Sequence, residues 1–387
     1  MPSRTTSGPN KSADVIIVGA GVIGLSIGRA LALRGVRNVT LIERSQPGTE
    51  ASWAAAGILA PQVELDHADD FFRLAAASRD MYPAWADSLK SETGVDVELD
   101  RTGTIYSGFS EADQAELQSR YDWQKSEGLC VEWLTAAETR RLEPSISAEV
   151  RCALRFPRDY QVENRRLIKA LLQANENAGV HLITECNVSG LLVENERVCG
   201  VNTSLGRIVA PIVVLAAGAW TAMIESGFRG LRIEPVRGQM LCFETPAPVT
   251  NHVLYSARGY LVPRRDGRLL AGSTTEHVGF DKRVTADGVG AIRSMANEIA
   301  PALMGLEPVD SWAGFRPHEM DDLPVLGPCE GIAGLHYATG HYRNGILLAP
   351  ITGELIATAI VESAPPVALA PFSPGRFRAS TWKERSA

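Results

Sequence analysis

The stretch from Asp14 to Arg44 constrains the fold more than any other part of the chain. It reads DVIIVGAGVIGLSIGRALALRGVRNVTLIER, with a β-branched apolar run, glycines spaced as G-x-G-x-x-G, and apolar residues at helical spacing. A second apolar run follows and is closed by Glu43. This order predicts a buried parallel strand, a tight turn, a helix and a second strand. We therefore expect the chain to open with a β-α-β unit.

Each glycine of this motif has a physical role. Gly19 permits the tight turn, Gly21 lets a pyrophosphate approach the backbone, and Gly24 lets the helix lie close to the strand. The helix N-terminus offers free N–H groups and a positive dipole end to the phosphates. Glu43 follows Gly24 by 19 residues and can accept hydrogen bonds from ribose hydroxyls. Together these features predict a dinucleotide-binding domain; the alternative is a glycine-rich turn in another α/β protein.

Length and charge narrow the classes of function. With 387 residues, the chain is long enough for two domains. Its net charge is −7 and it has no long Lys/Arg tract, so neither nucleic acid nor an anionic membrane surface is an expected partner. The apolar run at 208–219 is too short to span a bilayer. Residues 1–12 lack the apolar segment of a secretory signal, so we expect a disordered lead and a cytoplasmic protein.

The residues that most often bind metals show no metal-binding pattern. The six cysteines are scattered without a C-x-x-C pair, and we expect them to be reduced and buried. His318, Glu319, Asp321 and Asp322 lie between two prolines, but their spacing matches no ligand set. We predict a polar loop there and no metal site.

Two stretches of small residues indicate where a large ligand would lie. The segment Ser52–Pro61 reads SWAAAGILAP, and Ala216–Trp220 follows an apolar strand predicted over residues 208–215. Small side chains suit a backbone pressed against a ligand, with Gly57 allowing close approach, although an Ala-rich helical turn has the same composition. A strand that ends in small residues marks the crevice at the carboxyl end of a parallel sheet. The nucleotide-binding domain is therefore predicted to be discontinuous.

Six stretches, in their order along the chain, resemble the D-amino-acid oxidase superfamily of FAD enzymes, and within it the glycine oxidases of thiamine-thiazole synthesis. They are Ala13–Glu43, Ser52–Pro61, Val214–Trp220, Gly259–Gly272, Trp312–Gly327 and Gly340–Gly353. The runs AAAGILAP and GHYRNGILLAP carry most of the specificity, because the N-terminal glycine motif fits many flavin and nicotinamide enzymes. The second run leads into a final helix that we expect over residues 352–362. The resemblance extends from residue 13 to about residue 363.

The resemblance implies an α/β fold with two domains. One is a discontinuous FAD-binding Rossmann-like domain with a parallel sheet, and the other is a substrate domain built on a mixed or antiparallel sheet. The predicted FAD-binding domain comprises residues 13–80, 160–228 and 310–365. The predicted substrate domain comprises residues 81–159 and 229–309. Residues 1–12 form the disordered lead and residues 366–387 a tail.

Carried over position by position, the resemblance also implies which residues contact FAD. They are Gly19, Gly21, Val22, Ile23, Gly24, Glu43, Arg44, Ala51, Ser52, Ala56, Gly57, Ile58, Val188, Gly218, His341, Tyr342, Arg343, Asn344, Gly345, Ile346 and Leu347. Backbone donors of the segment from residue 341 to residue 347, aimed at the pyrimidine end of the flavin, would stabilise negative charge on the reduced ring. The chain has no cysteine where the sarcosine oxidases of the superfamily tether their flavin. Noncovalent FAD is therefore expected.

The resemblance places Tyr260, Arg316 and Arg343 at the substrate as catalytic and substrate-binding residues. Arg316 is the predicted partner of an amino-acid carboxylate, because a guanidinium is a planar, two-pronged donor. Tyr260 would add a hydroxyl donor, and Arg343 would contact the substrate or shape the entrance. Without the resemblance, a strand tyrosine or an isolated arginine more often has a structural role. The implied reaction does not require a side-chain base, because the amine would bind in its neutral form and its Cα hydrogen would leave as a hydride, and we name no base from the sequence.

The implied reaction is FAD-dependent oxidative deamination of glycine to an imine and then glyoxylate, with O2 reduced to hydrogen peroxide. The imine would serve a thiazole-forming partner in thiamine synthesis, and the family implies a homo-oligomer. Thr275 and Arg258 lie where this chain departs from glycine oxidases, so sarcosine and small D-amino acids remain alternative substrates. The net charge of −7 disfavours the flavin-dependent tRNA-modifying function also found in the superfamily. The two arginines and the tyrosine disfavour a non-catalytic flavin-binding module.

Overall fold

The structure, a computed structural model, describes residues 12–224, 231–245 and 247–377. This part of the chain forms two large sheets, two small sheets and the helices around them. The helices are α1 (Val22–Leu33), α2 (Ala51–Ala54), α3 (Pro61–Glu64), α4 (Asp70–Thr93), α5 (Glu111–Ser126), α6 (Ala136–Leu142), α7 (Asn164–Asn177), α8 (Ala286–Ile299) and α9 (Gly345–Val361). The first strands are β1 (Val15–Val18), β2 (Val39–Ile42), β3 (Ile58–Leu59), β4 (Thr104–Gly108), β5 (Glu132–Thr135), β6 (Cys152–Phe156), β7 (Tyr160–Gln161), β8 (His181–Ile183), β9 (Val188–Glu194) and β10 (Arg197–Thr203). They are followed by β11 (Gly206–Val209), β12 (Ile212–Leu215), β13 (Glu234–Glu244), β14 (Val253–Ser256), β15 (Gly259–Pro263), β16 (Arg268–Gly272), β17 (Asp310–His318), β18 (Val325–Pro328) and β19 (Leu335–Thr339).

The first sheet contains the predicted β-α-β unit. Its strand order is β18-β19-β12-β1-β2-β8, and every pairing except that of β18 is parallel. Helices α1, α4, α7 and α9 cover one face, and the small sheet β11-β10-β9 covers the other. Both faces are covered, so every residue of β1 and β2 is buried, and all but Thr40 are apolar. The predicted Rossmann-like parallel sheet is confirmed.

The second sheet is larger and mostly antiparallel, as predicted for the substrate domain. Its order is β17-β13-β16-β15-β14-β4-β6-β5, with one parallel pairing between β14 and β4. Helix α8 packs on one face of this sheet, and residues of the other face reach towards the glycine turn. Strand β17 pairs with β13 from Asp310 to His318. It therefore belongs to this sheet, although it lies in the range 310–365 that we predict for the FAD-binding domain.

Three local predictions differ from the structure. The single strand predicted over residues 208–215 is two strands, β11 and β12, because Pro211 lies between them and has no N–H to continue a ladder. The final helix begins at Gly345 rather than at residue 352 and accommodates Pro350. Part of the predicted tail packs on the protein, since Leu369 and Phe372 are buried in the same core as α1. Residues 1–11, most of the predicted disordered lead, and residues 378–387 lie outside the described residues.

The cysteines and the polar residues between Pro317 and Pro324 were considered above as possible metal ligands. Four of the six cysteines are buried as expected, whereas Cys130 is exposed and Cys199 is half-buried. His318 Nε2 lies 2.9 Å from Asp322 Oδ1. Within the described ranges, no group of three His, Cys, Asp or Glu side chains could hold a metal ion. The same ranges contain no helix long and apolar enough to cross a membrane.

Candidate active site

A cavity of about 530 Å³ lies where the carboxyl ends of β1, β2 and β12 meet the larger sheet. Its lining includes Val18 and Ile42 at the ends of the first two strands and Ala216 just after β12. From the larger sheet it includes Met240 on β13 and Tyr260 on β15. The volume is typical of a small-molecule or cofactor site, and the position is the crevice that the strand order predicts.

The glycine turn forms one end of this cavity. Gly19 has a φ of +105°, and a Cβ there would lie 2.5 Å from the carbonyl oxygen of Ala216. A Cβ at Gly24 would overlap the carbonyl oxygen of Gly19. Gly21 lines the cavity as the N-cap residue of α1, and the next N–H, of Val22, donates to Ser52 Oγ at 3.0 Å. The glycines therefore hold strand, turn and helix in contact, with the helix N-terminus at the cavity.

Glu43 lies at the end of β2 with its carboxylate fixed by backbone donors. Oε2 accepts a hydrogen bond from Ala20 N at 2.9 Å, and Oε1 accepts one from Ser45 N at 3.0 Å. The next side chain, Arg44, stacks on Trp220 with its guanidinium carbon 3.6 Å from the ring centroid. Both residues line the cavity, beside each other at the same strand end. This is where the sequence predicts the ribose and its neighbouring groups.

The small-residue segment 52–57 forms a flat side of the cavity and is held from behind. Three side chains donate to its carbonyl oxygens at 2.8 to 3.0 Å: Asn164, Arg264 and Trp312. Arg264 is buried, and burial lowers its pKa to about 10, so it stays charged at neutral pH. A flat ligand surface can approach this segment because those of its residues that line the cavity have small side chains, and because its backbone is anchored on the opposite side.

Arg316 lies at the other end of the cavity, on β17. Its Nη2 donates to Ser273 Oγ at 2.6 Å and its Nη1 to the carbonyl oxygen of Thr274 at 3.1 Å, so both acceptors are neutral. Burial lowers the pKa of Arg316. The hydroxyl of Tyr260 also donates to Ser273 Oγ, at 3.3 Å. The two predicted carboxylate-binding residues therefore converge on one serine, and the guanidinium has no anionic partner among the described residues.

Arg343 lines the same cavity but is engaged by an acid. Its Nε and Nη2 donate to the two carboxylate oxygens of Glu64 at 2.9 and 3.1 Å, and the hydroxyl of Tyr255 donates to the same carboxylate. The charge of Glu64 raises the pKa of Arg343. Burial would raise the pKa of Glu64, but the charge and hydrogen bonds of Arg343 outweigh it and lower that pKa. Burial raises the pKa of Tyr255 well above its usual range, and the charge of Glu64 adds to this effect.

The segment that begins at His341 closes the cavity. His341 is buried, its Nε2 lies 3.2 Å from Thr352 Oγ1, and burial lowers its pKa to about 3, so the ring is neutral. Because α9 begins at Gly345, the cavity-lining residues Gly345 and Ile346 belong to its first turn. The positive end of the helix dipole therefore faces this part of the cavity.

Most of the residues predicted to contact cofactor or substrate line this one cavity. Gly24, Asn344 and Leu347 are not among the lining residues: Gly24 packs against Gly19, and the carbonyl oxygen of Leu347 accepts from Ser78. The lining residues that were not identified from the sequence include Glu64, Met240 and Tyr255. Glu64 follows the specific AAAGILAP run by three residues, but its pairing with a distant arginine has no local signal.

A glycine turn on a parallel sheet, an acid at the next strand end and a flat cavity side of small residues are features of a dinucleotide-dependent oxidoreductase. The chain belongs to the DAO family of FAD-dependent oxidoreductases, whose family model matches residues 14–359. Glycines whose Cβ would overlap backbone, and a cavity open along the small-residue segment, fit a bound FAD.

Several relatives are similar along nearly the whole chain. The glycine oxidase of Pseudomonas aeruginosa is 37% identical over 367 residues, which cover 94% of this chain and 99% of the relative. The crystal structure of glycine oxidase from Geobacillus kaustophilus has a TM-score of 0.89 at 37% identity, covering 94% of this chain and 98% of that one. The bifunctional protein ThiO/ThiG of Trichormus variabilis is 37% identical over 94% of this chain, which spans 55% of that longer protein. The protein is therefore an FAD-dependent oxidoreductase of glycine-oxidase type.

Proposed function

We propose that the protein oxidises glycine to glyoxylate, releasing ammonia and reducing dioxygen to hydrogen peroxide. The observation that supports this most is Arg316, a half-buried guanidinium at the cavity whose described acceptors, Ser273 Oγ and the Thr274 carbonyl oxygen, are both neutral. Such a group is suited to bind one carboxylate in a two-pronged geometry. Relatives named glycine oxidase support the choice of substrate.

Noncovalent FAD is the proposed cofactor of this cavity. Its pyrophosphate would lie at Gly21 and Val22 and its ribose at Glu43. Its isoalloxazine ring would lie along the cavity-lining residues 54–58, which we call segment 54–58. The bound cofactor would supply a two-electron acceptor for the Cα hydrogen of the amine, with dioxygen as the final oxidant. Precipitating the protein with acid should release all the yellow colour as free FAD; colour retained in the pellet would contradict noncovalent binding.

The protein would contribute orientation of the substrate rather than a side-chain base. Arg316 and the Tyr260 hydroxyl would hold the carboxylate at the Ser273 end of the cavity, which places the α-carbon towards segment 54–58. Glu64 is engaged by Arg343 and Tyr255, so its carboxylate is not free to take a substrate proton. His341 is neutral and buried, and cannot act as an acid near neutral pH. We therefore assign no side-chain base, and the amine would react in its neutral form.

We also propose that the imine formed from glycine is passed to a partner that builds a thiazole. The support is the ThiO/ThiG relative, in which a chain similar to this one is part of a bifunctional protein. Trapping of the imine by such a partner should lower the yield of free glyoxylate per peroxide formed. An unchanged ratio with the partner present would contradict the transfer.

The test of the reaction is flavin bleaching without oxygen. Glycine, sarcosine and D-alanine are added separately to the purified yellow protein, and peroxide is measured after air is readmitted. We expect glycine to bleach the flavin and to yield one peroxide per glyoxylate. In Arg316→Ala, kcat/KM for glycine should fall at least about a hundredfold, as for loss of a charged two-pronged contact. Arg151→Ala, which removes an exposed arginine bonded to Glu111, is the matched control.

Each other outcome has a defined meaning. Bleaching by D-alanine alone would keep the cofactor and overturn the glycine assignment in favour of a D-amino-acid oxidase. Bleaching by sarcosine alone would assign a secondary amine. Bleaching that is equally fast in Arg316→Ala would show that the carboxylate binds elsewhere.

A further inference from the structure

A second cavity adjoins the candidate active site. We call it the side cavity; it measures about 270 Å³. Its lining includes Glu64, Ser256, Arg258, Tyr260, Thr275 and Arg343. Three of these residues, Glu64, Tyr260 and Arg343, also line the larger cavity. The ion pair of Glu64 and Arg343 therefore lies at the boundary between the proposed carboxylate site and additional space.

The side cavity is large enough to hold part of a substrate bigger than glycine. A volume of about 270 Å³ is ample for a substituent of a few heavy atoms on the substrate nitrogen. The surroundings are polar, with the hydroxyls of Ser256 and Thr275 among the lining groups. Whether such a substituent is bound favourably therefore depends on the charged side chains that line the side cavity.

Every arginine that lines the side cavity has a carboxylate partner within the described chain. Arg343 is held by Glu64 through two parallel hydrogen bonds, and Arg258 pairs with Glu298. Arg120, also at the side cavity, pairs with the carboxylates of Asp66 and Glu116. Arg316, by contrast, contacts neutral oxygens of residues 273 and 274. In the larger cavity Arg44 is paired with Glu50. Of the described arginines that line the two adjoining cavities, Arg316 alone has no carboxylate hydrogen-bonded to it.

We propose that Glu64 is a specificity-determining residue, which neutralises Arg343 and so restricts the enzyme to amines that carry a single carboxylate. This inference rests on the proposed function and names its substrate class. With Arg343 engaged, a second carboxylate on the substrate nitrogen would enter the side cavity without a free cation and beside the charge of Glu64. A neutral or polar substituent of the same size has no such penalty.

The experiment compares two N-substituted glycines of equal size. Iminodiacetate carries a second carboxylate, and N-(carbamoylmethyl)glycine carries an amide in its place. We expect wild-type kcat/KM to favour the amide. In Glu64→Gln, which frees Arg343, the ratio of kcat/KM for iminodiacetate to that for the amide should rise at least about tenfold. Glu64→Asp retains the charge and is the matched control, with a ratio within about threefold of wild type. An unmoved ratio in flavin-loaded Glu64→Gln would overturn the proposal.

Reversal of the charge gives a second, independent measurement. Arg343→Met leaves Glu64 without its cation, so N-(2-aminoethyl)glycine should gain at least about tenfold over the amide. The double variant Glu64→Gln/Arg343→Met replaces the pair by neutral groups of similar volume, a change that folded proteins tolerate. In it the preferences among the three compounds should converge to within about threefold. If a single variant fails to bind flavin, the proposal is tested on the double variant alone. If the double variant still prefers the amide to iminodiacetate as strongly as the wild type does, the proposed role of the pair is wrong.

Ligand binding separates this proposal from the proposed function. Dissociation constants for the same three compounds can be measured from the shift they cause in the flavin absorbance spectrum, without turnover. If the wild type oxidises neither glycine nor any of the three compounds, the proposed function is wrong. The ratios of the dissociation constants would still test whether Glu64 disfavours a second carboxylate. If glycine is oxidised and the binding ratios do not respond to Glu64→Gln, the proposed function stands and the role of Glu64 is wrong.

Discussion

The guanidinium of Arg316 lies against the bare backbone of Gly238 on the neighbouring strand. A Cβ at Gly238 would overlap both terminal nitrogens of Arg316. In the pairing of β13 with β17, Arg316 lies opposite Val236, two residues from Gly238. The guanidinium therefore occupies space that a side chain at Gly238 would fill. The orientation of Arg316, the proposed carboxylate-binding residue, thus depends on a glycine of another strand.

Replacing this glycine should impair substrate binding without removing any group that contacts substrate. In Gly238→Ala the methyl group must displace the guanidinium, so we expect KM for glycine to rise about tenfold or more. Gly290→Ala is the matched control, because Gly290 has no atom within 4 Å of its Cβ position and lies inside α8. Steady-state kinetics and a melting temperature for both variants test this. A normal KM in Gly238→Ala would show that Arg316 is not held by this contact.

Gly24 should matter for cofactor binding although it does not line the cavity. A Cβ at this position would overlap the carbonyl oxygen of Gly19, so Gly24→Ala must push α1 away from the turn. We expect at least about tenfold weaker FAD binding, since the helix N-terminus would move from the pyrophosphate position. Titration of the apoprotein with FAD, followed by flavin fluorescence, measures this. Gly290→Ala again serves as control, and equal affinities in the two variants would contradict the role of Gly24.

Arg264 should be important for stability. Its guanidinium donates to the carbonyl oxygens of Ala56 and Val162 and to the side chains of Gln161 and Asn164. In Arg264→Met these buried acceptors lose their donor, and we expect the free energy of unfolding to fall by about 3 kcal/mol.

The neighbouring residue offers a control for that variant. Arg265 is exposed and donates one hydrogen bond, to the carbonyl oxygen of Leu99. Arg265→Met should change the free energy of unfolding by less than about 0.5 kcal/mol. Urea unfolding of both variants measures the difference, and similar midpoints would show that Arg264 is dispensable for anchoring segment 52–57.

His336 should make the fold sensitive to acid. It is buried on β19, and burial lowers its pKa from 6.5 to about 4. Below pH 6.5 the unfolded chain binds a proton that the folded chain does not bind until about pH 4. The contribution to stability is therefore complete above pH 6.5 and is lost as the pH falls towards 4, by about 3 kcal/mol.

The effect is measured as the free energy of unfolding at pH 7.5, 5.5 and 4.5. In His336→Gln the decline between pH 6.5 and 4 should be shallower than in the wild type. His181→Gln, which changes an exposed histidine on β8, should leave the decline unchanged. Parallel curves for the wild type and His336→Gln would rule out the assigned titration.

The sequence allowed the sheets and much of the cavity to be predicted, because their signals are local. The glycine turn, the apolar strands around it and Glu43 lie within one stretch of 31 residues. Period-two alternation predicts strands over residues 235–244, 260–263 and 268–273, which correspond to β13, β15 and β16 of the larger sheet. The resemblance located Tyr260 and Arg316, which converge on Ser273. These features depend on neighbours in sequence, or on motifs that carry their own spacing.

Contacts between distant segments could not be predicted in this way. The carboxylate of Glu64 meets Arg343 across 279 positions of sequence and Tyr255 across 191. Nothing in the short helix α3 indicates these partners, because they are set by how α9 and β14 pack around it. The same holds for Gly238, because its lack of a side chain leaves room for the Arg316 guanidinium from β17.

Strand β17 carries Trp312, Gly314 and Arg316 on one face, since residues two apart point the same way. Trp312 donates to the carbonyl oxygen of Ala54, and a Cβ at Gly314 would lie 2.5 Å from the Ala54 Cβ. One end of this strand is thus fastened to the flat cavity side, while the guanidinium lies four residues, or about 13 Å, farther along. The strand acts as a spacer of set length. Removing two residues between Trp312 and Arg316 would preserve the face but shorten the span by about 7 Å, so that a different atom of a bound amine would face segment 54–58.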